Sequence, residues 1–345
     1  MERSRHLSFD STTLFPRPSG AFISENSEHV HISPSGIHKV AKAVYDAAKA
    51  GELSQNLWLD CDVHPKLSGR EAVDWCFMVS VINFSFWAKP RFTVKDNGET
   101  LHGYLAFCCV LKRCLEAEIP ITTPAYLENV SYDDFCKVLR DDYGNLLPLM
   151  FRRWQLLKEC CKILVEQFDG TFLTCLKQCN NSAVNLLNII LTNFPSFSDV
   201  AIYKGKKVSF LKRAQILVAD LFYCLKGEEP AAFNDIDELT MFADYRVPQL
   251  LVYFGALEYS ADLRDLLVKK HLFASGDSME VEIRGCSISA VEKILEESRQ
   301  LCQENNVNCN LNASVVDYFL WTYCAKHRAE VLRSVPFHRC RGIFY

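Results

Sequence analysis

The chain has 345 residues, of which 49% are hydrophobic, 12% aromatic and 23% charged. This is the composition of an ordinary globular protein, and it excludes a disordered chain or a long coiled coil. The 38 basic and 42 acidic residues give a net charge of −4, so we do not expect a protein that binds nucleic acid mainly through phosphate contacts. The apolar runs are much shorter than the roughly 18–20 residues of a membrane-spanning helix, and we expect no membrane partner.

The first 21 residues are mixed in charge, rich in Ser and Pro, and without the apolar stretch of a secretory signal. We predict a flexible tail over residues 1–21 and a single domain over residues 22–345. The 16 cysteines include no C-x-x-C pair and many lie in apolar stretches, which is typical of reduced thiols in a cytoplasmic protein, or one that is also nuclear. Cys175 and Cys179 have no neighbouring His, so we predict no metal site.

Hydrophobic periodicity predicts a mostly helical protein of the all-α class, with at most minor β-structure. The first helix shows the pattern well, because Ile37, Val40, Val44 and Ala47 recur at helical spacing. The predicted helices are, in chain order, residues 37–50, 71–87, 98–117, 208–225, 249–259, 287–301 and 315–328.

Two short stretches, residues 91–95 and 281–284, have the composition of β-strands. There is no repeated β-α alternation and no internal repeat. Polar loops at residues 226–230 and 304–312 interrupt the helical pattern, but neither is long enough for a linker between domains. The pattern therefore favours one continuous helical body.

Asp317 is a carboxylate inside an apolar stretch, in a sequence that has no P-loop, G-x-G-x-x-G, G-x-S-x-G or H-E-x-x-H motif. On a helix it shares one stripe with Trp321, Cys324 and Arg328, at the edge of an apolar face. Burial of a carboxylate in that position destabilises the fold unless it has an interaction partner or serves a function. The alternative is an early-helix carboxylate that the helix dipole favours, or one half of an ion pair.

A second group of acids lies among aromatic residues, in the stretch Phe233, Asn234, Asp235, followed by Asp237. In an extended segment, Phe233, Asp235 and Asp237 point the same way, so the ring could stack on a flat ligand beside two carboxylates. The alternative is that these aspartates only cap the following helix.

Two further side chains are candidates for ligand contacts. Arg246 is a candidate anion-binding residue, and His64 lies in a turn-like setting, Asp62-Val63-His64-Pro65. A thiol enzyme is disfavoured because no Cys lies in an evidently electropositive setting.

Several segments, matching in order, resemble the queuosine salvage proteins, a family of queuosine 5′-phosphate N-glycosylases. They are residues 83–87 (NFSFW), 118–122 (EIPIT), 212–220 (KRAQILVAD), 239–249 (LTMFADYRVPQ), 280–286 (EVEIRGC) and 336–339 (PFHR). The resemblance covers about residues 22–345. It implies a helical fold like that of the helix-hairpin-helix DNA glycosylases, and release of the base queuine from queuosine 5′-monophosphate for reuse in tRNA modification.

The resemblance places the catalytic carboxylate on Asp317, with water as the final acceptor of the sugar and with no cofactor or metal. Cleavage of an N-glycosidic bond passes through a cationic, oxocarbenium-like sugar. A carboxylate fixed beneath the ring stabilises that charge or attacks it, and each 1.4 kcal/mol or so gained is tenfold in rate.

The same resemblance implies how the rest of the nucleotide is held. The leaving base is a 7-deazaguanine, which has no N7 to protonate, so its other edges must be recognised. Phe233 would stack on the base, with Asn234 beside it, and Asp235 would accept from its guanine-like donors. Asp237 would contact the amine of queuine, and His64 is a further contact. The 5′-phosphate needs cations, for which Lys212, Arg213 and Arg246 are the candidates.

Two other functions stay open on the sequence alone. One is a helical protein-interaction module whose carboxylates only cap helices. The other is a DNA-repair glycosylase on the related fold, against which the missing basic excess argues. We expect the nucleotide as substrate and queuine as product, with no direct nucleic-acid partner.

Overall fold

A computed structural model describes residues 7–53, 58 and 61–345 of the chain. This part is mostly helical, as predicted, and the likeness to helix-hairpin-helix glycosylases stays a prediction. The helices are α1 (Pro16–Asn26), α2 (Pro34–Lys49), α3 (Gly69–Ile82), α4 (Tyr104–Glu116), α5 (Pro124–Leu127), α6 (Tyr132–Val138), α7 (Met150–Gln167), α8 (Phe172–Gln178), α9 (Ala183–Asn193), α10 (Lys212–Cys224), α11 (Val247–Tyr253), α12 (Ala261–Val268), α13 (Ser278–Glu304), α14 (Ala313–Lys326) and α15 (Arg328–Ser334).

The β-structure consists of short pairs of strands. The strands are β1 (Val30–Ile32), β2 (Thr93–Asp96), β3 (Glu99–His102), β4 (Val200–Tyr203), β5 (Lys206–Ser209), β6 (Leu257–Tyr259), β7 (Leu272–Phe273) and β8 (Arg339–Cys340). β1 and β6 are antiparallel, with Val30 opposite Tyr259, and β2–β3 and β4–β5 are antiparallel hairpins. β7 and β8 pair in parallel. Each pair is a separate two-stranded sheet that joins two segments of the chain.

The chain folds as two compact units, each assembled from separate stretches of sequence. The first unit comprises Met1–Gln55, Ser198–Gln215 and Ile236–Gly342, and the second comprises Asn56–Phe197, Ile216–Asp235 and Ile343–Tyr345. The single domain over residues 22–345 stays a prediction. No polar linker marks the boundaries, and one of them falls inside α10, so composition along the chain could not reveal them.

The first unit includes a helix where we predicted a flexible tail, because α1 begins at Pro16. This helix crosses α13 at very short range. A Cβ added at Gly20 would lie 3.1 Å from the carbonyl oxygen of Gly285, and one at Gly285 would lie 2.5 Å from the side chain of Ile23. The contact depends on two glycines, which have no side chain, rather than on a broad apolar face. Hydrophobic periodicity therefore did not predict it.

Several predicted elements were wrong in type or extent, among them the helix over residues 71–87, which ends at Ile82, and the helix over residues 287–301, which begins at Ser278. Residues 281–284 lie inside α13 and not in a strand, since a short run that is buried on all sides has no diagnostic period. The helix predicted from residue 98 begins only at Tyr104, because Asn97 and Gly98 have positive φ and turn the chain between β2 and β3. The strand-like stretch 91–95 is confirmed in β2.

The helix predicted over residues 249–259 is also too long. α11 ends at Tyr253, Gly255 has φ +78°, and the chain continues into β6. A glycine in the left-handed region is a common way for a helix to end.

The sixteen cysteines are all unpaired thiols, and all but Cys61, Cys224 and Cys309 are buried. In the described ranges, no three His, Cys, Asp or Glu side chains are grouped so that they could hold a metal ion. None of the described helices combines the length and the apolarity needed to cross a membrane.

Candidate active site

Asp317 is buried in the first unit, on α14. The side chain of Asn312 caps this helix by accepting from the N–H of Val315 at 3.0 Å, so Asp317 is the fifth helical residue and lies beyond the turn where the dipole acts. It is 6% exposed, and its Oδ1 accepts from the backbone N–H of Phe242 at 2.9 Å. Within the described residues it forms no ion pair, so neither alternative reading accounts for its burial.

Two charged side chains act on the Asp317 carboxyl. Burial raises its pKa well above the usual value, and the negative charge of Asp244 raises it further. The N–H of Phe242 and the ammonium group of Lys212 oppose this rise. Burial also lowers the pKa of Lys212 to about 8. Asp317, Asp244 and Lys212 therefore form one electrostatically coupled cluster.

Asp244 and Arg246 are fixed at the start of α11. Oδ1 of Asp244 accepts from the backbone N–H groups of Arg246 at 2.7 Å and Val247 at 3.0 Å, which caps the helix. The guanidinium of Arg246 lies over the rings of Tyr245 and Phe337, with 4.9 and 5.0 Å to the ring centroids. Stacking and a hydrogen bond from its Nη1 to Oε1 of Gln249 at 3.1 Å hold this cation in place.

A fully buried ion pair holds the backbone next to two members of this cluster. Arg284, 1% exposed, donates to both carboxylate oxygens of Asp199 at 2.9 and 2.5 Å, and its Nε donates to the carbonyl of Ala243 at 3.0 Å. Asp199 also accepts from the backbone N–H of Lys212 at 3.3 Å. The pair thus fixes both the residue before Asp244 and the first residue of α10.

The predicted base-recognition segment lies in the second unit. Phe233 is 6% exposed, and its ring stacks on that of Phe222 with 6.3 Å between centroids and 22° between planes. The backbone N–H of Asn234 donates to the carbonyl of Asn181 at 2.9 Å. These contacts fix the aromatic ring at the end of this chain segment.

The two aspartates that follow differ in their surroundings. The carboxylate of Asp235 accepts from the hydroxyl of Ser182 at 2.6 Å and from the N–H of Ala183 at 2.5 Å, so it caps the N-terminus of α9. Asp237 belongs to the first unit, where its side chain is 62% exposed and lies 3.2 Å from Arg299. Only Asp235 is held rigidly.

His64 is buried in the second unit. Its ring stacks on Trp58 with 3.6 Å between centroids and 10° between planes, and its Nε2 lies 3.4 Å from the hydroxyl of Tyr104. Burial lowers the pKa of His64 to about 3, so the imidazole is neutral at physiological pH. Its Nδ1 is shielded from solvent and has no hydrogen-bond partner among the residues described.

Comparison with known proteins identifies the family. A sequence profile described as "Queuosine salvage protein" matches residues 63–345. A Mus musculus protein named Queuosine 5′-phosphate N-glycosylase/hydrolase is 41% identical, covering 96% of this chain and 99% of its own length. Proteins of the same name from Schizosaccharomyces pombe and Sphaerobacter thermophilus are each 36% identical, covering 94% and 89% of this chain and 97% and 92% of their own lengths. The chain belongs to the queuosine salvage protein family.

In this family member, the predicted site residues divide between the units. The first unit holds Asp317, Lys212, Arg246 and Asp237, and the second holds His64, Phe233, Asn234 and Asp235. Within the first unit, Lys212 lowers the pKa of Asp317; on α14, Arg246 lowers the pKa of Cys324 and Asp244 raises it. Asp237 instead pairs with Arg299.

Asp199 and Arg284 were missed by sequence reasoning, whereas Asp244 lies in an aromatic-rich stretch that the sequence brings to notice without assigning it a role. Asp244 and Arg284 lie inside segments that resemble the family, and a charged residue enclosed by apolar neighbours was the available signal. Asp199 carried no such signal, because its partner Arg284 is 85 residues away.

Proposed function

We propose that this protein hydrolyses the N-glycosidic bond of queuosine 5′-monophosphate and releases queuine for reuse in tRNA modification. The proposal is supported by membership of the queuosine salvage family and by the names of its relatives. The observation that carries it is the buried carboxyl of Asp317, which lies beside a second carboxylate and an ammonium group.

Asp317 is the catalytic carboxylate in this proposal. As the bond to the base breaks, the sugar becomes cationic, and an ionised Asp317 stabilises it or attacks it. A carboxylate with little water around it interacts strongly with a nearby cation. In the free protein, the same burial disfavours the ionised form of Asp317 and so raises its pKa. A developing positive charge on the substrate favours the ionised form and offsets this cost.

Lys212 and Arg246 bind the 5′-phosphate, together with Arg213. The Lys212 ammonium loses its proton near pH 8 in the free protein, and a phosphate beside it would favour the charged form. In the described contacts Arg246 is held by two aromatic rings and by Gln249, whose Oε1 accepts from Nη1 of Arg246 at 3.1 Å, rather than by a carboxylate. Its planar guanidinium suits a phosphate group.

Phe233, Asn234 and Asp235 recognise the base. Phe233 offers a buried aromatic face for stacking. Asp235 is oriented by the N-terminus of α9, and each of its oxygens retains lone pairs for the donors of a guanine-like edge. His64, a neutral imidazole, is a further polar contact. The base leaves without protonation at N7, so these contacts must stabilise it as it departs.

The two other functions have less support. A DNA-repair role is disfavoured by the net charge of −4, because duplex binding relies on phosphate neutralisation. An interaction module does not explain why Asp317 is buried without a direct ion pair among the described residues, beside the carboxylate of Asp244. We propose a small nucleotide substrate with no direct nucleic-acid partner, and a cytoplasmic location, for which the unpaired cysteines are the support.

Incubation of the purified protein with queuosine 5′-monophosphate tests the proposal. Free queuine and ribose 5-phosphate should appear in equal amounts, as resolved by chromatography and mass spectrometry. Guanosine 5′-monophosphate is the control for nonspecific cleavage. Absence of free queuine under conditions where the protein is folded would reject the activity, and a salt-sensitive shift of duplex DNA would favour the repair reading.

A further inference from the structure

Gln249, the third residue of α11, is a buried amide that makes a hydrogen bond on each side. It is 2% exposed. Its Oε1 accepts from Nη1 of Arg246 at 3.1 Å, and its Nε2 donates to the backbone carbonyl of Val335 at 2.5 Å. The two bonds fix the orientation of the amide, because exchanging its oxygen and nitrogen would place oxygen against the carbonyl and NH2 against the guanidinium. Gln249 is therefore a rigid acceptor for Arg246.

The chain segment that accepts from Gln249 also supplies a ring beside Arg246. Val335 directly follows α15, and Phe337 lies two residues later. The ring of Phe337 is 5.0 Å from the guanidinium carbon of Arg246 and 5.2 Å from the ring of Tyr245. Arg246 is thus held between α11 and the segment after α15, and Gln249 joins the two.

The contacts of Arg246 restrain different motions. Its backbone N–H donates to Oδ1 of Asp244 at 2.7 Å, which fixes the start of the side chain. An aromatic face attracts a guanidinium but tolerates its rotation within its own plane. The hydrogen bond to Gln249 removes that rotation and so sets the direction of the other N–H donors. A two-point contact with phosphate needs this direction, because two parallel donors must face two oxygens.

We propose that Gln249 is a positioning residue that orients Arg246 for the 5′-phosphate of the substrate. This rests on the proposed function, in which Arg246 binds that phosphate. Gln249 acts through Arg246 and does not itself contact the substrate. Ordering the cation before the substrate arrives favours binding, because less side-chain freedom is lost in the complex. A solely structural amide would affect binding of the phosphate and of the base alike, whereas a positioning amide affects only ligands that carry the phosphate.

Substitution Gln249→Met replaces the amide by an unbranched apolar side chain and removes both hydrogen bonds. For queuosine 5′-monophosphate, KM should rise about tenfold, which is less than the loss of a direct charge-assisted hydrogen bond, and kcat should change less than about twofold. The inhibition constant of ribose 5-phosphate should rise by the same factor, and that of queuine should not change. Equal weakening of both inhibitors, weakening of neither, or a fall in kcat at constant KM would overturn the proposal.

Gln300→Met is the control for loss of a glutamine amide. Gln300 lies on α13, is exposed, and donates to Glu304 at 2.8 Å. This variant should keep the kcat, the KM and both inhibition constants of the unmodified protein. A rise in the ribose 5-phosphate constant equal to that in Gln249→Met would overturn the proposal.

A double substitution tests whether Gln249 acts through Arg246. Arg246→Met removes the cation and should itself raise KM. Adding Gln249→Met to that variant should change KM less than about twofold, because both changes remove the same interaction. A further tenfold rise in the double variant would overturn the proposal.

A measurement on the unmodified protein keeps the test independent of how the variants fold. With isotope-labelled glutamine, the side-chain amide resonance of Gln249 should shift on addition of ribose 5-phosphate and stay unchanged with queuine. No response to either ligand, or a response to queuine as large as that to ribose 5-phosphate, would overturn the proposal. Failure of the unmodified protein to cleave the nucleotide would instead reject the proposed function, so the two failures are distinguishable.

Discussion

Substitution Asp317→Asn tests the proposed catalytic role while changing the structure little. The side chain is almost fully enclosed and its Oδ1 accepts from Phe242, and an amide oxygen can accept the same hydrogen bond. Because burial favours the neutral acid in the free protein, replacement by a neutral amide leaves the local charge similar. The free energy of unfolding should therefore be unchanged or slightly higher.

The loss in rate can be estimated from the burial of the carboxylate. Opposite unit charges about 4 Å apart interact by about 4 kcal/mol at the effective dielectric constant of roughly 20 that suits protein sites. At about 1.4 kcal/mol for each tenfold change, the variant should lose a factor of about 1,000 in kcat. Substrate affinity should change little, because the charge that Asp317 stabilises develops only as the bond breaks.

Single-turnover release of queuine gives the rate of cleavage, and calorimetry of nucleotide binding gives the substrate affinity. Asp265→Asn, an exposed change on α12, is the matched control and should retain full activity. A kcat for Asp317→Asn within tenfold of the unmodified protein, in a variant that is folded and binds substrate, would refute the role of the carboxylate.

Two further predictions concern the surrounding charges. The pH profile of kcat/KM should rise on the acid side as Asp317 ionises and fall near pH 8 as Lys212 loses its proton; Lys212→Met should abolish the alkaline fall, and its persistence would contradict the assignment. Asp199→Ala leaves the enclosed Arg284 without its main partner, and urea unfolding should show a loss of about 3–5 kcal/mol. The same change at Asp46, in an exposed pair, should cost less than about 1 kcal/mol, and equal losses would show that burial does not matter.

Short-range features of the protein were open to prediction from the sequence. The spacing of Val40 and Val44 predicted α2, and α10 and α14 were found within a few residues of their observed ends. The position of Asp317 in an apolar stretch was visible too, and its side chain is buried, while its catalytic role stays a prediction. These inferences succeed because a helix repeats every 3.6 residues, so that one face can be read from a dozen consecutive positions. The family itself was recognisable from several ordered segments, and the comparisons confirm it.

Tertiary structure alone decided which groups share a site. Asp317 accepts from the backbone N–H of Phe242, 75 residues earlier, and Arg284 pairs with Asp199, 85 residues earlier. Residues 281–284, whose composition favours a strand, are helical because α13 runs through the interior of the first unit. Burial, and with it the pKa of a carboxyl group, depends on neighbours that packing brings in from distant segments, and no local pattern of residue types contains that information.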